Sequence, residues 1–205
     1  WIKVNLADKL PVKVAGLVMD NDFGLAYEMG FEAYVEQNPD VVAEYLPVRH
    51  DPAAPTLTNE VTTIAAFDPD VFISMTAGNP CLLAIQEVEA SGLYDRLDAA
   101  FTPSVCKGIA AYLAPAGMAA DGYWIVGGGA KDTTDSGKMD EPFIAFARDL
   151  ISDAGEDPSI SLTGEGVFRG YAFTEAFRIA DALPGGMSRT NLMLALRNFK
   201  VYNPC

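Results

Sequence analysis

The sequence predicts an α/β fold built on a parallel, doubly wound sheet, and three observations carry that expectation. Strand-like and helix-like segments alternate through the first 130 residues. The strand candidates are apolar runs without strict alternation, as expected of strands buried on both faces. The helical segments between them are long enough to carry the chain back to the start of a parallel neighbour.

The elements follow in order. Val12 to Met19 is the first strand candidate, and Gly24 to Glu36 carries Leu25, Ala26, Met29 and Ala33 at helical spacing. Val41 to Pro47 is strand-like. Thr56 to Ala66 places Leu57, Val61, Ile64 and Ala65 on one helical face, with Thr56 or Thr58 as the N-cap. Val71 to Met75 is a short apolar strand that runs into the small polar corner Thr76-Ala-Gly-Asn-Pro80. Leu82, Ile85 and Val88 then recur at three-residue steps, and Gly92 stands where that helix stops. Ala99 to Thr102 reads as the fourth strand, Ile109 to Leu113 as a short helix and Tyr123 to Val126 as the fifth strand.

After Val126 the pattern changes. Residues 127–137 are Gly-rich and polar, and no comparably strong strand follows until Phe199 to Tyr202. Helices dominate instead: Pro142 to Ala154, Gly166 to Leu183 with Ala172, Ala176, Ile179 and Leu183 on one stripe, and Arg189 to Asn198. These helices need something to cover, and the sheet already described has helices of its own.

Half of the 205 residues are apolar, enough for a sizeable core. The formal net charge of −14 repels nucleic acid and anionic membrane surfaces, so neither is an expected partner. No run of about 18 apolar residues and no signal-peptide pattern occurs in these residues. The first residue is Trp1 and not Met, which predicts a processed chain or one piece of a longer protein.

Ligands of open parallel sheets bind beyond the carboxyl ends of the strands. Asp20-Asn-Asp-Phe-Gly24, Thr76-Ala-Gly-Asn-Pro80 and Pro103-Ser-Val-Cys-Lys107 hold that position. Ala77-Gly78 lets a ligand approach the backbone, Asn79 can donate and accept, and the amides opening the next helix favour an acceptor. The same compositions also suit plain strand-to-helix turns.

Enzyme motifs are absent from the sequence: no phosphate-binding loop, no G-x-G-x-x-G after a strand, no H-E-x-x-H and no nucleophile elbow. No catalytic residue, metal or cofactor is therefore expected. His50, the one histidine, reads as a surface-loop residue, and Gly127-Gly128-Gly129 as a hinge or crossover. Cys81 and Cys106 follow neighbouring strands and could form a disulfide or remain two buried thiols. Cys205 makes the count odd.

The run Val12-Lys-Val-Ala-Gly-Leu-Val-Met-Asp-Asn-Asp-Phe-Gly24, followed by Val41-Val-Ala-Glu-Tyr45, Asp70-Val-Phe-Ile-Ser74 with Ala77-Gly78, and Glu89-Ala-Ser-Gly-Leu93, resembles the branched-chain amino-acid-binding proteins of ABC importers. Those proteins have the type I periplasmic binding protein fold. Gly170 to Ala176 is similar to that family's late helix, and the resemblance spans nearly the whole chain through order and spacing. It implies that residues 1–126 form the second of two lobes. Residues 127–205 would then form the crossover and the returning helices of the first lobe, whose sheet is missing from this chain.

It further implies an exported protein, periplasmic or at the cell surface, either free or lipid-anchored. That protein would trap a small solute between its lobes and deliver it to an ABC permease in the membrane. The implied ligand residues are Phe23, Ala77, Gly78, Asn79 and Ser104. Phe23 falls on an aromatic position that closes over the ligand, and Ala77 on a second position that can be aromatic. Ser104 falls where amino-acid binders carry an acidic residue for the ligand ammonium. That departure counts against an ordinary α-amino acid unless Asp20 or Asp22 takes over the acidic role, and an aromatic or aliphatic carboxylate, or an amide-like solute, fits at least as well; the expected solute is amino-acid-like or a carboxylate or aromatic one. A ligand-sensing receptor or regulator of the same fold is the alternative, and a small α/β enzyme is a further one.

Overall fold

The structure, a computed structural model, describes residues 1–127 and 131–198. The chain divides into two compact units, Trp1–Gly128 and Gly129–Cys205, each with its own core.

The first unit holds a five-stranded sheet of β1 (Val12–Met19), β2 (Val42–His50), β3 (Val71–Met75), β4 (Ala99–Pro103) and β5 (Trp124–Val126). Its order is β2-β1-β3-β4-β5, and every pairing is parallel. The register Val18 to Met75 and Ile73 to Phe101 brings the carboxyl ends of β1, β3 and β4 to one edge. Helices α1 (Ile2–Asn5), α2 (Asp22–Gln37), α3 (Thr58–Phe67) and α4 (Asn79–Ala90) accompany the strands. Between β4 and β5 lie a wide helical turn, Ile109–Leu113, and the short α5 (Ala114–Ala116).

Period-two alternation within buried strands supplies two cores. On one face Ala15, Leu17, Phe72 and Ala100 pack against Leu57, Val61 and Ile64 of the α3 region and Ala84 and Val88 of α4. On the other, Val12, Val14, Val71, Ala99 and Phe101 meet Leu6 and Val41, with Ile2 of α1 and Phe31 and Val35 of α2 half-buried beside them. Burying a side chain such as Phe72 or Leu17 contributes roughly 2 kcal/mol.

Two expectations are corrected within these elements. The buried face of α2 is not Leu25, Ala26, Met29 and Ala33: Met29 is 69% exposed, Ala26 and Ala33 are exposed, and Leu25 is half-buried. Gly24 and Glu28 are the buried residues of α2. Gly24 permits close approach to β1, because a Cβ there would lie 2.0 Å from the Met19 carbonyl oxygen. Glu28 tolerates burial because the Arg49 guanidinium binds its carboxylate through Nε at 3.1 Å and Nη2 at 2.9 Å. The N-cap of α3 is Leu57, not a threonine, and Thr56 Oγ1 instead accepts from the Thr58 amide at 3.2 Å.

The second unit contains α6 (Pro142–Asp153), α7 (Ser161–Ala182) and α8 (Arg189–Asn198). Ala176 and Ala180 of α7 bury against Ala195 of α8, with Ile179, Leu192 and Leu196 around them. The predicted α7 stripe is therefore buried at Ala176 and half-buried at Ala172, Ile179 and Leu183. The strand expected over 199–202 lies outside the described residues, as do Gly128 and Gly129 of the expected hinge.

Candidate ligand-binding rim

Three loops leave the carboxyl edge of β1, β3 and β4, which are neighbours in the sheet. The first is set by Asn21. Its side-chain oxygen accepts from the amides of Phe23 and Gly24 at 3.1 Å each, closing the first turn of α2 with the protein's own acceptor. Phe23 is the second residue of α2, half-buried, with its ring 5.0 Å from that of Tyr27. Asp20 and Asp22 are exposed beside it.

The second loop follows β3. Thr76 is fully buried, Ala77 half-buried, and Gly78 and Asn79 exposed. Gly78 adopts φ +69°, a left-handed backbone that a side chain would strain. It is the N-cap of α4, no side chain caps that helix, and Pro80 occupies its first turn. The entrances to α2 and α4 thus differ: Asn21 supplies a side-chain acceptor at one and nothing equivalent does at the other.

The third loop is the 3-10 turn Ser104–Cys106 after β4. Ser104 is half-buried and Cys106 is buried. Cys106 forms a disulfide with Cys81 in the first turn of α4, which ties the second loop to the third. The alternative of two free thiols is thereby excluded.

His50 does not lie in a surface loop. It is the last residue of β2 and only 2% exposed. Its Nδ1 stands 2.9 Å from the Asp51 carbonyl oxygen and its Nε2 3.0 Å from Thr76 Oγ1. A carbonyl only accepts, so in the neutral ring Nδ1 carries the proton and Nε2 accepts from the threonine hydroxyl.

A groove of about 780 Å³ lies on the α2 face of this unit. Ile73, Met75 and Phe101 floor it, and Trp1, Tyr27 and Phe31 wall it. Tyr45 packs next to it, its ring 4.9 Å from that of Phe31 and its hydroxyl 3.7 Å from Met75 Sδ. Burial, then the carboxylates of Glu28 and Glu32, push the Tyr45 hydroxyl well above its ordinary pKa.

None of Phe23, Ala77, Gly78, Asn79 and Ser104 lines this groove; Phe23 and Asn79 open α2 and α4, Ala77 and Gly78 lie between β3 and α4, and Ser104 begins the turn after β4. Sequence reasoning missed the groove and the inward position of His50. The aromatic residues Tyr27, Phe31 and Tyr34, spaced by four and three along α2, were the available signal for the groove wall. Among the described residues no cluster of metal-ligating side chains is present, and no helix is long and apolar enough to cross a membrane.

No protein-family model matches the sequence, and no curated protein matches it. Solved structures do. A branched-chain amino acid ABC transporter protein from Thermus thermophilus with bound valine superimposes with a TM-score of 0.73 at 16% identity, over 92% of this chain and 47% of its own. A fatty acid ABC transporter substrate-binding protein from Thermomonospora curvata gives 0.72 at 17%, over 91% and 45%. An ABC transporter solute-binding protein from Rhodopseudomonas palustris in complex with p-hydroxybenzoic acid gives 0.71 at 18%, over 99% and 52%. The chain spans about half the length of these structures. Its fold is thus α/β, with a five-stranded parallel sheet and helices that match the lobes of type I periplasmic binding proteins.

Proposed function

We propose that this chain is part of an extracytoplasmic solute-binding component of an ABC importer, and that its rim loops form one wall of the solute cleft. The observation that carries the reading is the meeting of three small polar loops at the carboxyl edge of adjacent β1, β3 and β4, in a fold shared with solved solute-binding proteins. On this reading residues 1–126 are the second lobe. Residues 127–205 are the crossover and returning helices of the first lobe, whose sheet comes from polypeptide outside this chain. Exposed Phe146 of α6 and Phe173 and Phe177 of α7, at 53%, 52% and 45%, support a further packing partner for these helices. The Cys81–Cys106 disulfide supports an oxidising compartment outside the cytoplasm.

Phe23 provides an apolar face, Ala77-Gly78 an opening to the backbone, and Asn79 and Ser104 neutral polar groups. No bond is made or broken; solute contacts to both lobes favour the closed form, which a membrane permease then recognises. A buried ammonium without a carboxylate partner costs several kcal/mol. With Ser104 neutral, an aromatic or aliphatic carboxylate fits better than an α-amino acid. Calorimetry on the full-length protein tests this. Binding of 4-hydroxybenzoate with little response to leucine or valine is expected, whereas micromolar leucine binding with none of aryl acids would overturn it.

A further inference from the structure

We propose that His50 is a positioning residue for the ligand rim, an inference that rests on the solute-binding reading and deepens it. The sheet order is β2-β1-β3, so no backbone ladder links the end of β2 to the end of β3. Two strand spacings of about 4.8 Å separate them. The imidazole bridges that gap at the level of Met19, the last residue of β1, which pairs with His50 in register, and its Nε2 stands 3.0 Å from Thr76 Oγ1. Thr76 is the residue immediately before Ala77-Gly78-Asn79. The His50 main-chain carbonyl meanwhile accepts from the Asp20 amide at 2.9 Å, at the start of the loop that carries Phe23.

One residue therefore holds the first and second loops together. The chain of contacts continues to the third: the Thr76 carbonyl oxygen lies 3.4 Å from Cys106 Sγ, and Cys106 is bonded to Cys81. A disulfide sulfur has no hydrogen to give, so this last link is packing and not a hydrogen bond. His50 and Thr76 are 2% and 0% exposed, so water does not compete for the hydroxyl–imidazole bond. Core filling alone would be met by an apolar side chain. A buried imidazole with both nitrogens partnered is spent on fixing geometry, and what it fixes is the entrance to two of the three rim loops.

The test uses the full chain and needs no ligand. Nitrogen NMR of the His50 ring should show the tautomer protonated at Nδ1, with Nε2 accepting. Amide hydrogen exchange is then compared in wild type, Thr76→Val and Thr76→Ser. Thr76→Val should speed exchange about tenfold over residues 77–79, while β1 core amides such as Leu17 change by less than about twofold. Thr76→Ser, which keeps the hydroxyl, should restore the wild-type rates.

A ring protonated at Nε2, unchanged exchange over 77–79, a uniform rise across the unit, or failure of serine to restore the loop would each overturn the proposal. Should Thr76→Val not fold, the tautomer measurement on wild type still decides. A separate titration of the full-length wild-type protein with 4-hydroxybenzoate distinguishes the two levels: absence of binding counts against the solute reading, while the exchange and nitrogen data answer for His50.

Discussion

Gly24 shows how strictly one position can depend on a missing side chain. A Cβ would stand 2.0 Å from the Met19 carbonyl oxygen and 2.7 Å from the Met19 nitrogen, both fixed backbone atoms of β1. Gly24→Ala should therefore lower stability by about 3 kcal/mol, read from the midpoint of urea denaturation followed by circular dichroism. The same substitution at Gly78 meets open space but a φ of +69°, so strain and not collision sets its smaller cost. At this scale the sequence was only partly legible. The glycines and Asn21 announce the turns through their backbone chemistry. The inward position of His50 does not follow from its neighbours Arg49 and Asp51, because the hydroxyl that satisfies it comes from Thr76, 26 residues away.

Among the elements, α3 and α4 were largely readable because their apolar spacing mostly coincides with burial: Val61, Ile64, Ile85 and Val88 are all at 0 to 1% exposure, while Leu82 and Ala65 of the same stripes are half-buried. α2 was not, because its inner face uses a glycine and a glutamate. Hydrophobic periodicity cannot register a carboxylate whose burial is made tolerable by Arg49 on another element. The disulfide between the first turn of α4 and the turn after β4 was open on sequence grounds, since pairing depends on strands β3 and β4 being adjacent. It closes a segment of 25 residues. Replacing both Cys81 and Cys106 with serine should cost about 3.5 kcal/mol by loop-entropy arithmetic. Denaturant midpoints of the double variant and of wild type, the latter with and without reductant, check this.

For the whole molecule, pH exposes a weakness on the alkaline side. Burial pushes the Tyr123 hydroxyl up most strongly, with smaller contributions from Tyr94 and Glu89, and Tyr45 is raised chiefly by burial too. Both start from an ordinary value of 10.0. The folded state keeps these protons where the unfolded chain releases them, so their contribution is complete below about pH 10 and is lost as pH climbs toward the raised folded values. Calorimetric melting temperatures should accordingly fall as pH rises past 10, and fall less in Tyr45→Phe. The parallel sheet was legible at this scale from alternating segments alone, whereas the separate core of α7 and α8 showed only as the stripe Ala172, Ala176, Ile179 and Leu183, of which Ala176 is buried.

Both tryptophans of the chain belong to the first unit: the Trp1 ring meets Phe101 edge-on and Trp124 at a tilt, each with centroids 5.4 Å apart, beside the groove. Their emission therefore reports on one wall of the sheet and is silent about the helical unit, which has none. A fluorescence melt of this protein would time the loosening of that wall, and a second optical signal would be needed before its midpoint could stand for the entire chain.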